Sequence, residues 1–173
     1  KILQVIFQQF DVSKNAEITI EINPGTVNLQ TLKGYQKAGI NRLSIGLQAT
    51  QNHLLEMLGR IHKYEEFEKV YQEARQIGFT NINVDLMLGL PSQSLEDVEE
   101  SLKKVIALKP EHISIYSLIL EEGTALEKLI SSGKLKMPLE DLERKMYWDT
   151  KKILEQNEYE HYEISNFAKS GFA

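Results

Sequence analysis

Four polar side chains interrupt or end otherwise apolar, strand-like runs. Glu21 closes Glu17 to Ile22, Gln48 closes Arg42 to Gln48, and Asp85 sits within Asn81 to Leu88. Arg60 follows the second run after a short connection. In a fourth run, His112 to Leu118, the corresponding place falls to Ser117 or to Ile119 just beyond it. Two carboxylates and an amide near one axis accept hydrogen bonds from sugar hydroxyls or an amine. A guanidinium pairs with a carboxylate through two parallel bonds. That inventory suits a zwitterionic, sugar-bearing ligand. The plain reading stands beside it. Glu21 and Asp85 would equally cap helix N-termini or pair with Arg42, since structural networks also perturb carboxylates. Arg60 would equally serve a surface ion pair.

The elements that must position these residues follow from periodicity. Lys1 to Phe10 carries Ile2, Leu3, Ile6, Phe7 and Phe10 at helical spacing. Strict alternation then sets Ile18, Ile20 and Ile22 against Glu17, Thr19 and Glu21. Asn28 caps a helix from Leu29 to Ala38. Leu43, Ile45 and Leu47 oppose Ser44, Gly46 and Gln48 in a second strand. A short helix at Asn52 to Leu58 and a longer one at Tyr64 to Ile77 follow, the latter stopped by Gly78. In the third strand Ile82, Val84 and Leu86 oppose Asn81, Asn83 and Asp85. Ser94 and Asp97 form a capping box for a helix running to Leu108. Ile113 and Ile115 oppose Ser114 and Tyr116 in the fourth strand. Two helical stretches, Ala125 to Ser132 and Leu139 to Gln156, precede a polar, aromatic end from Tyr159 to Phe172, read as an appended segment.

Alternating strands and helices predict parallel pairing with right-handed crossovers. Strands covered on both faces read as continuous apolar runs. Here each strand keeps one polar face, which a doubly wound sheet would not choose. A barrel with outer helices and a ligand-filled lumen would, with its chemistry at the carboxyl ends of the strands. The fold expected is therefore α/β: a partial TIM-like (β/α) barrel of about four parallel strands over residues 1–124. A C-terminal helical extension follows over 125–173. Four strands cannot close a barrel.

Composition bounds the function. The chain has 173 residues, 42% hydrophobic and 26% charged, which places it among ordinary globular proteins. A net charge of −5 argues against a nucleic-acid partner. No apolar run reaches the roughly 18 residues of a membrane span, and a cytoplasmic location is expected. With Cys 0, this chain supplies no thiolate for a metal or an iron–sulfur cluster. His53, His62, His112 and His161 lack ligand spacing; His62 and His112 read as structural.

Several ordered runs carry a resemblance. They are Glu21-Ile22-Asn23-Pro24, Asn41-Arg42-Leu43-Ser44-Ile45-Gly46-Leu47-Gln48 and Leu58-Gly59-Arg60-Ile61-His62. Asn83-Val84-Asp85-Leu86-Met87-Leu88-Gly89-Leu90-Pro91 and His112-Ile113-Ser114-Ile115-Tyr116-Ser117-Leu118 continue the series. Together they resemble the radical S-adenosylmethionine (SAM) family of oxygen-independent coproporphyrinogen III oxidases. Glu121-Glu122-Gly123-Thr124 and Tyr162-Glu163-Ile164-Ser165-Asn166-Phe167-Ala168 are similar to its heme-chaperone branch.

The resemblance implies a barrel that binds SAM and, in the full-length protein, a [4Fe-4S] cluster that cleaves it to a radical. By motif match Glu21, Gln48, Arg60 and Asp85 fall on SAM-contacting positions, and Ile119 on a weaker, backbone-mediated one. No catalytic or metal-binding residue is assigned in this chain. The implied function lies in heme metabolism. Heme binding and delivery to client hemoproteins is favoured over oxidative decarboxylation of coproporphyrinogen III to protoporphyrinogen IX. An unrelated barrel enzyme acting on a phosphorylated substrate is the remaining alternative, although no late Gly-rich phosphate loop is evident. The family's C-x3-C-x2-C motif and Gly-rich turn are not in this sequence, and the resemblance places both before Lys1. The chain is therefore expected to be a fragment that performs no radical chemistry by itself.

Overall fold

The computed structural model of the chain describes residues 1–173. Strands β1 (Thr19–Ile22), β2 (Arg42–Gln48), β3 (Ile82–Leu88) and β4 (His112–Ser117) are parallel and stand side by side in chain order. Helices α1 (Ile2–Gln9), α2 (Leu29–Lys37), α3 (Asn52–Met57), α4 (Tyr64–Ile77) and α5 (Leu95–Leu108) alternate with them. A sequential order means every crossover steps the same way. Right-handed crossovers then put the covering helices on one side. This is the winding of a barrel wall, and it explains why each strand has one apolar and one polar face.

The apolar faces build the core. Leu43, Ile45 and Leu47 of β2, Ile82, Val84 and Leu86 of β3, and Ile113 and Ile115 of β4 are all buried. They share one cluster with Leu32 of α2, Phe67, Val70 and Tyr71 of α4, and Val98, Leu102 and Val105 of α5. Each such side chain contributes about 1.5–3 kcal/mol by leaving water.

Local signals set the helix ends. The Asn28 side chain accepts the Thr31 N–H at 3.0 Å. The Ser94 hydroxyl accepts the Asp97 N–H at 3.1 Å, and the Asp97 carboxylate accepts the Ser94 N–H at 2.8 Å. Helix α4 stops at Gly78, whose φ of 109° suits a residue without a Cβ. Glu111 then ties α4 to the sheet. Its carboxylate accepts the Ile82 N–H at 3.0 Å and pairs with Arg75 at 2.8 Å.

The extension is helical in α6 (Ala125–Ser131) and α7 (Glu140–Gln156). Its last part is not a loose polar end. β5 (Glu160–Glu163) and β6 (Asn166–Ala168) form an antiparallel hairpin, and β6 pairs antiparallel with β4. The sheet therefore has six strands in the order β1-β2-β3-β4-β6-β5. The physical reason is the edge of β4, whose free N–H and C=O groups need partners. β5 reads Glu160-His161-Tyr162-Glu163 and β6 only Asn166-Phe167-Ala168, so neither carries an apolar–polar alternation to reveal it. Met146, Leu154, Tyr159 and Phe167 join the main core cluster, so residues 125–173 share the barrel segment's core. No helix is long and apolar enough to cross a membrane.

Candidate functional site

The polar faces of β1 to β4 line a cavity of about 420 Å³ whose wall includes Glu21, Arg42, Asp85, His112, Tyr116 and Tyr162. Register explains the grouping. Glu21 pairs with Ser44, Gly46 with Asp85, and Asp85 with Ser114. Residues paired in register on adjacent strands share a face.

Asp85 is held by its neighbours. Asn83 Nδ2 donates to Oδ1 at 2.7 Å, and the Ser44 hydroxyl donates to Oδ2 at 3.1 Å. Burial pushes the Asp85 carboxyl above its ordinary range, and the charge of Glu21 pushes the same way. The hydrogen bonds from Asn83 and Ser44 oppose that rise.

Alternation puts Gln48 on the face of Ser44 and Gly46, and the backbone adds a bulge there. The β2–β3 register shifts between Gly46 and Gln48, and Gln48 has φ of 69°. That left-handed backbone costs about 1–2 kcal/mol for a non-glycine residue. Bulges of this kind re-aim side chains. Here the amide turns back over Gly46: a Cβ on Gly46 would lie 2.9 Å from Gln48 Nε2 and 2.8 Å from Arg60 Nη2.

Arg60 arrives from the loop after α3. Leu54 and Leu55 of that helix pack with Ala49 and Leu90 in a small cluster formed around the loops after β2 and β3. The Arg60 N–H donates to the Leu55 carbonyl at 2.9 Å, and Nη2 donates to the Gly46 carbonyl at 3.3 Å. Burial lowers the Arg60 pKa, while Tyr116 and Asp85 raise it. Gln48 Oε1 and Arg60 Nε are buried with no partner. Unpaired buried polar atoms are costly.

The structure thus brings Glu21, Gln48, Arg60 and Asp85 to one face. Ile119 stands apart: it lies beyond the end of β4 and is 82% exposed. The sequence reading gave no role to the supports Asn83 and Ser44. Asn83 lies two residues before Asp85 and Ser44 four before Gln48, each on the same strand face, which is the signal that could have found them. His62 and His112 are buried, as structural histidines should be. A larger cavity, about 750 Å³, lies between Glu155, Tyr159 and Lys169.

Comparisons with known proteins give the family. The model of the radical SAM superfamily matches residues 2–105. The chain belongs to the radical SAM superfamily. Heme chaperone HemW of Bacillus subtilis (strain 168) is 42% identical over 156 residues, covering 90% of this chain and 41% of that protein. Radical S-adenosyl methionine domain-containing protein 1, mitochondrial, of Mus musculus is 36% identical over 170 residues, covering 98% and 38%. The structure of coproporphyrinogen III oxidase (HemN) from Escherichia coli, a radical SAM enzyme, superposes with a TM-score of 0.82 at 28% identity. That match covers 98% of this chain and 39% of HemN. The chain spans about two-fifths of the length of these relatives.

Superfamily membership implies SAM and a [4Fe-4S] cluster. The residues fit SAM: Gln48 Oε1 and Arg60 Nε are buried polar atoms without partners, and the Glu21 and Asp85 carboxylates line the cavity on the same sheet face. They do not fit the cluster. The chain has no cysteine, and no group of three or more His, Asp or Glu is placed to hold a metal ion.

Proposed function

We propose that this chain forms the SAM-binding wall of a radical SAM protein of heme metabolism, and that heme binding and delivery is that protein's activity. The observation that carries the site is the unpartnered pair, Gln48 Oε1 and Arg60 Nε, beside the braced Asp85 carboxylate. In this reading Asp85 and Glu21 accept hydrogen bonds from the amine or ribose hydroxyls of SAM. Arg60 takes its carboxylate, Gln48 orients it, and Ile119 adds a weaker backbone contact. Residues 1–124 are the barrel segment and 125–173 its extension. Bound SAM supplies radical chemistry in this superfamily; the residues here bind and orient it.

Tetrapyrrole as the second ligand is supported by two relatives, heme chaperone HemW and coproporphyrinogen III oxidase. The chaperone reading, with client hemoproteins as partners, is favoured by the 42% identity to HemW of B. subtilis against 28% to HemN. The fold likeness to HemN keeps coproporphyrinogen III decarboxylation as the second reading.

Calorimetric titration with SAM tests the site. Saturable binding that weakens in Arg60→Met and Asp85→Asn supports it, and unchanged affinity in both folded variants overturns it. For the activity, the protein carrying this chain is given heme or coproporphyrinogen III. Stoichiometric heme binding with transfer to an apo-hemoprotein supports the chaperone reading; conversion of the porphyrinogen replaces it.

A further inference from the structure

One hydrogen-bonded line runs under the candidate site, and its direction follows from counting protons. Asn83 Nδ2 lies 2.7 Å from Asp85 Oδ1 and 2.8 Å from the Ser44 hydroxyl oxygen. Both amide protons are spent there, while the Ser44 proton goes to Asp85 Oδ2. Turning the Asn83 amide over would set its oxygen against the carboxylate, so this orientation is forced. Asn83 Oδ1 therefore accepts. It lies 2.6 Å from His112 Nδ1, so Nδ1 carries the imidazole proton.

The other ring nitrogen completes the line. His112 is 2% exposed, and burial with the charge of Arg42 holds it neutral, with its pKa lowered to about 4. Nε2 then has a lone pair, and the Tyr162 hydroxyl at 2.6 Å donates to it. Tyr162 belongs to β5 of the terminal hairpin. From β6 of the same hairpin, Asn166 Oδ1 accepts the Ser114 proton at 2.8 Å.

We propose that His112 is a positioning residue for Asp85: its Nδ1–H, set by the Asn83 oxygen it faces, anchors the Asn83 amide, which holds the Asp85 carboxylate toward the lumen. Through Tyr162 the hairpin acts on the candidate site from below without touching Asp85. The groups facing Asp85 are Glu21 from β1, Arg60 from the loop after α3 and Tyr116 from β4, with Ser44 and Asn83 as donors. Those facing His112 are Arg42 from β2, Glu17 before β1 and Tyr162. The tautomer and the orientation of Asn83 stand on geometry alone; only the effect on ligand rests on the SAM reading above.

The test has three arms. Long-range proton–nitrogen NMR of chain labelled with ¹⁵N-histidine reads the His112 tautomer. A proton on Nδ1 is expected, and a proton on Nε2 overturns the proposal. Carbon-detected titration of the Asp85 carboxyl is then compared in His112→Asn and His112→Gln. Asn carries its amide where Nδ1 stood and keeps the donor; Gln carries its amide where Nε2 stood and loses it. The Asp85 midpoint should rise by about one pH unit in the Gln variant and stay near wild type in the Asn variant. Equal shifts in both, or none, overturn the proposal. Should either variant fail to fold, Tyr162→Phe, which removes one exposed hydroxyl, replaces it. A raised Asp85 midpoint with the Nδ1–H tautomer retained supports the proposal, and an unchanged midpoint overturns it. Finally, SAM titration should show affinity about fivefold weaker in His112→Gln. SAM affinity unchanged in both Asp85→Asn and Arg60→Met refutes the SAM reading alone, leaving the first two arms to judge His112. Affinity weakened in Asp85→Asn but unchanged in His112→Gln refutes the positioning role.

Discussion

Gly46 and Asp85 are register partners across β2 and β3, and the volume a side chain would occupy at Gly46 is taken by Arg60 Nη2 and Gln48 Nε2. The absent Cβ lets a guanidinium, an amide and a carboxylate gather over one strand pair. The bulge at Gln48 is the second requirement, because it turns the amide toward that space.

Gly46→Ala should therefore disturb the site more than the fold. Gly46 has no left-handed backbone to strain, and the colliding atoms are the ends of flexible side chains. SAM affinity should fall about tenfold, with a melting temperature within a few degrees of wild type. Calorimetry and a melting curve on one sample check this; unchanged affinity would show that the Arg60–Gln48 arrangement is dispensable.

Asp85→Asn should weaken SAM binding on the order of tenfold, since a charge-assisted hydrogen bond contributes roughly 1.5–3 kcal/mol. Its stability should move the other way. The folded-state pKa of Asp85 is raised, so its contribution is fully present below the unfolded carboxyl pKa and lost as pH rises through the folded value. At pH 7 that contribution is reduced or lost, and the amide variant should melt at or above wild type. That gain should vanish near pH 4, the ordinary Asp range. A lower melting temperature at pH 7 with intact SAM binding would make Asp85 a structural group.

The buried His112 predicts acid sensitivity. Its pKa is lowered to about 4 in the folded chain, against about 6.5 unfolded. Between those values the unfolded state binds more protons, so stability rises with pH across the window and is complete above it. One proton gives a slope of at most about 1.4 kcal/mol per pH unit. Denaturant midpoints from pH 4 to 7 should show this slope in the wild type and a shallower one in His112→Asn. Equal slopes would assign the acid sensitivity to other groups.

Ser94→Ala should cost about 1 kcal/mol by removing the cap of α5. For a chain of this size that lowers the melting temperature by roughly 2–4 °C. SAM affinity should not change, because the cap's partners are on α5 and not at the strand ends. A loss of affinity would couple the helix to the site.

Anaerobic treatment with iron and sulfide should leave no cluster bound to this chain, because cluster ligands are thiolates and Cys is 0. Stoichiometric iron with a cluster absorption band after desalting would refute that.

Much of the architecture was legible in one dimension because it rests on short-range physics. Period-two alternation in Arg42 to Gln48 and Asn81 to Leu88 determined which face met the helices. Asn28, Gly78, Ser94 and Asp97 marked the helix ends through bonds spanning a few residues. The shared phase of Glu21 and Asp85 was likewise readable, since side-chain direction in a strand is set by parity. What depended on pairing was not. The bulge that re-aims Gln48 exists only as a mismatch between two strands, and nothing in Gly46-Leu47-Gln48 alone announces it. The β5–β6 hairpin forms because β4 presents an edge to be covered, a demand that arises only once the sheet is assembled. That the Ile119 side chain points to solvent was not readable either, because it follows from β4 ending at Ser117. The line from Tyr162 through His112 and Asn83 to Asp85 joins residues up to 79 positions apart, counted from 83 to 162. Hydrogen-bond direction there depends on which atoms meet within 3 Å, and only the tertiary structure decides that.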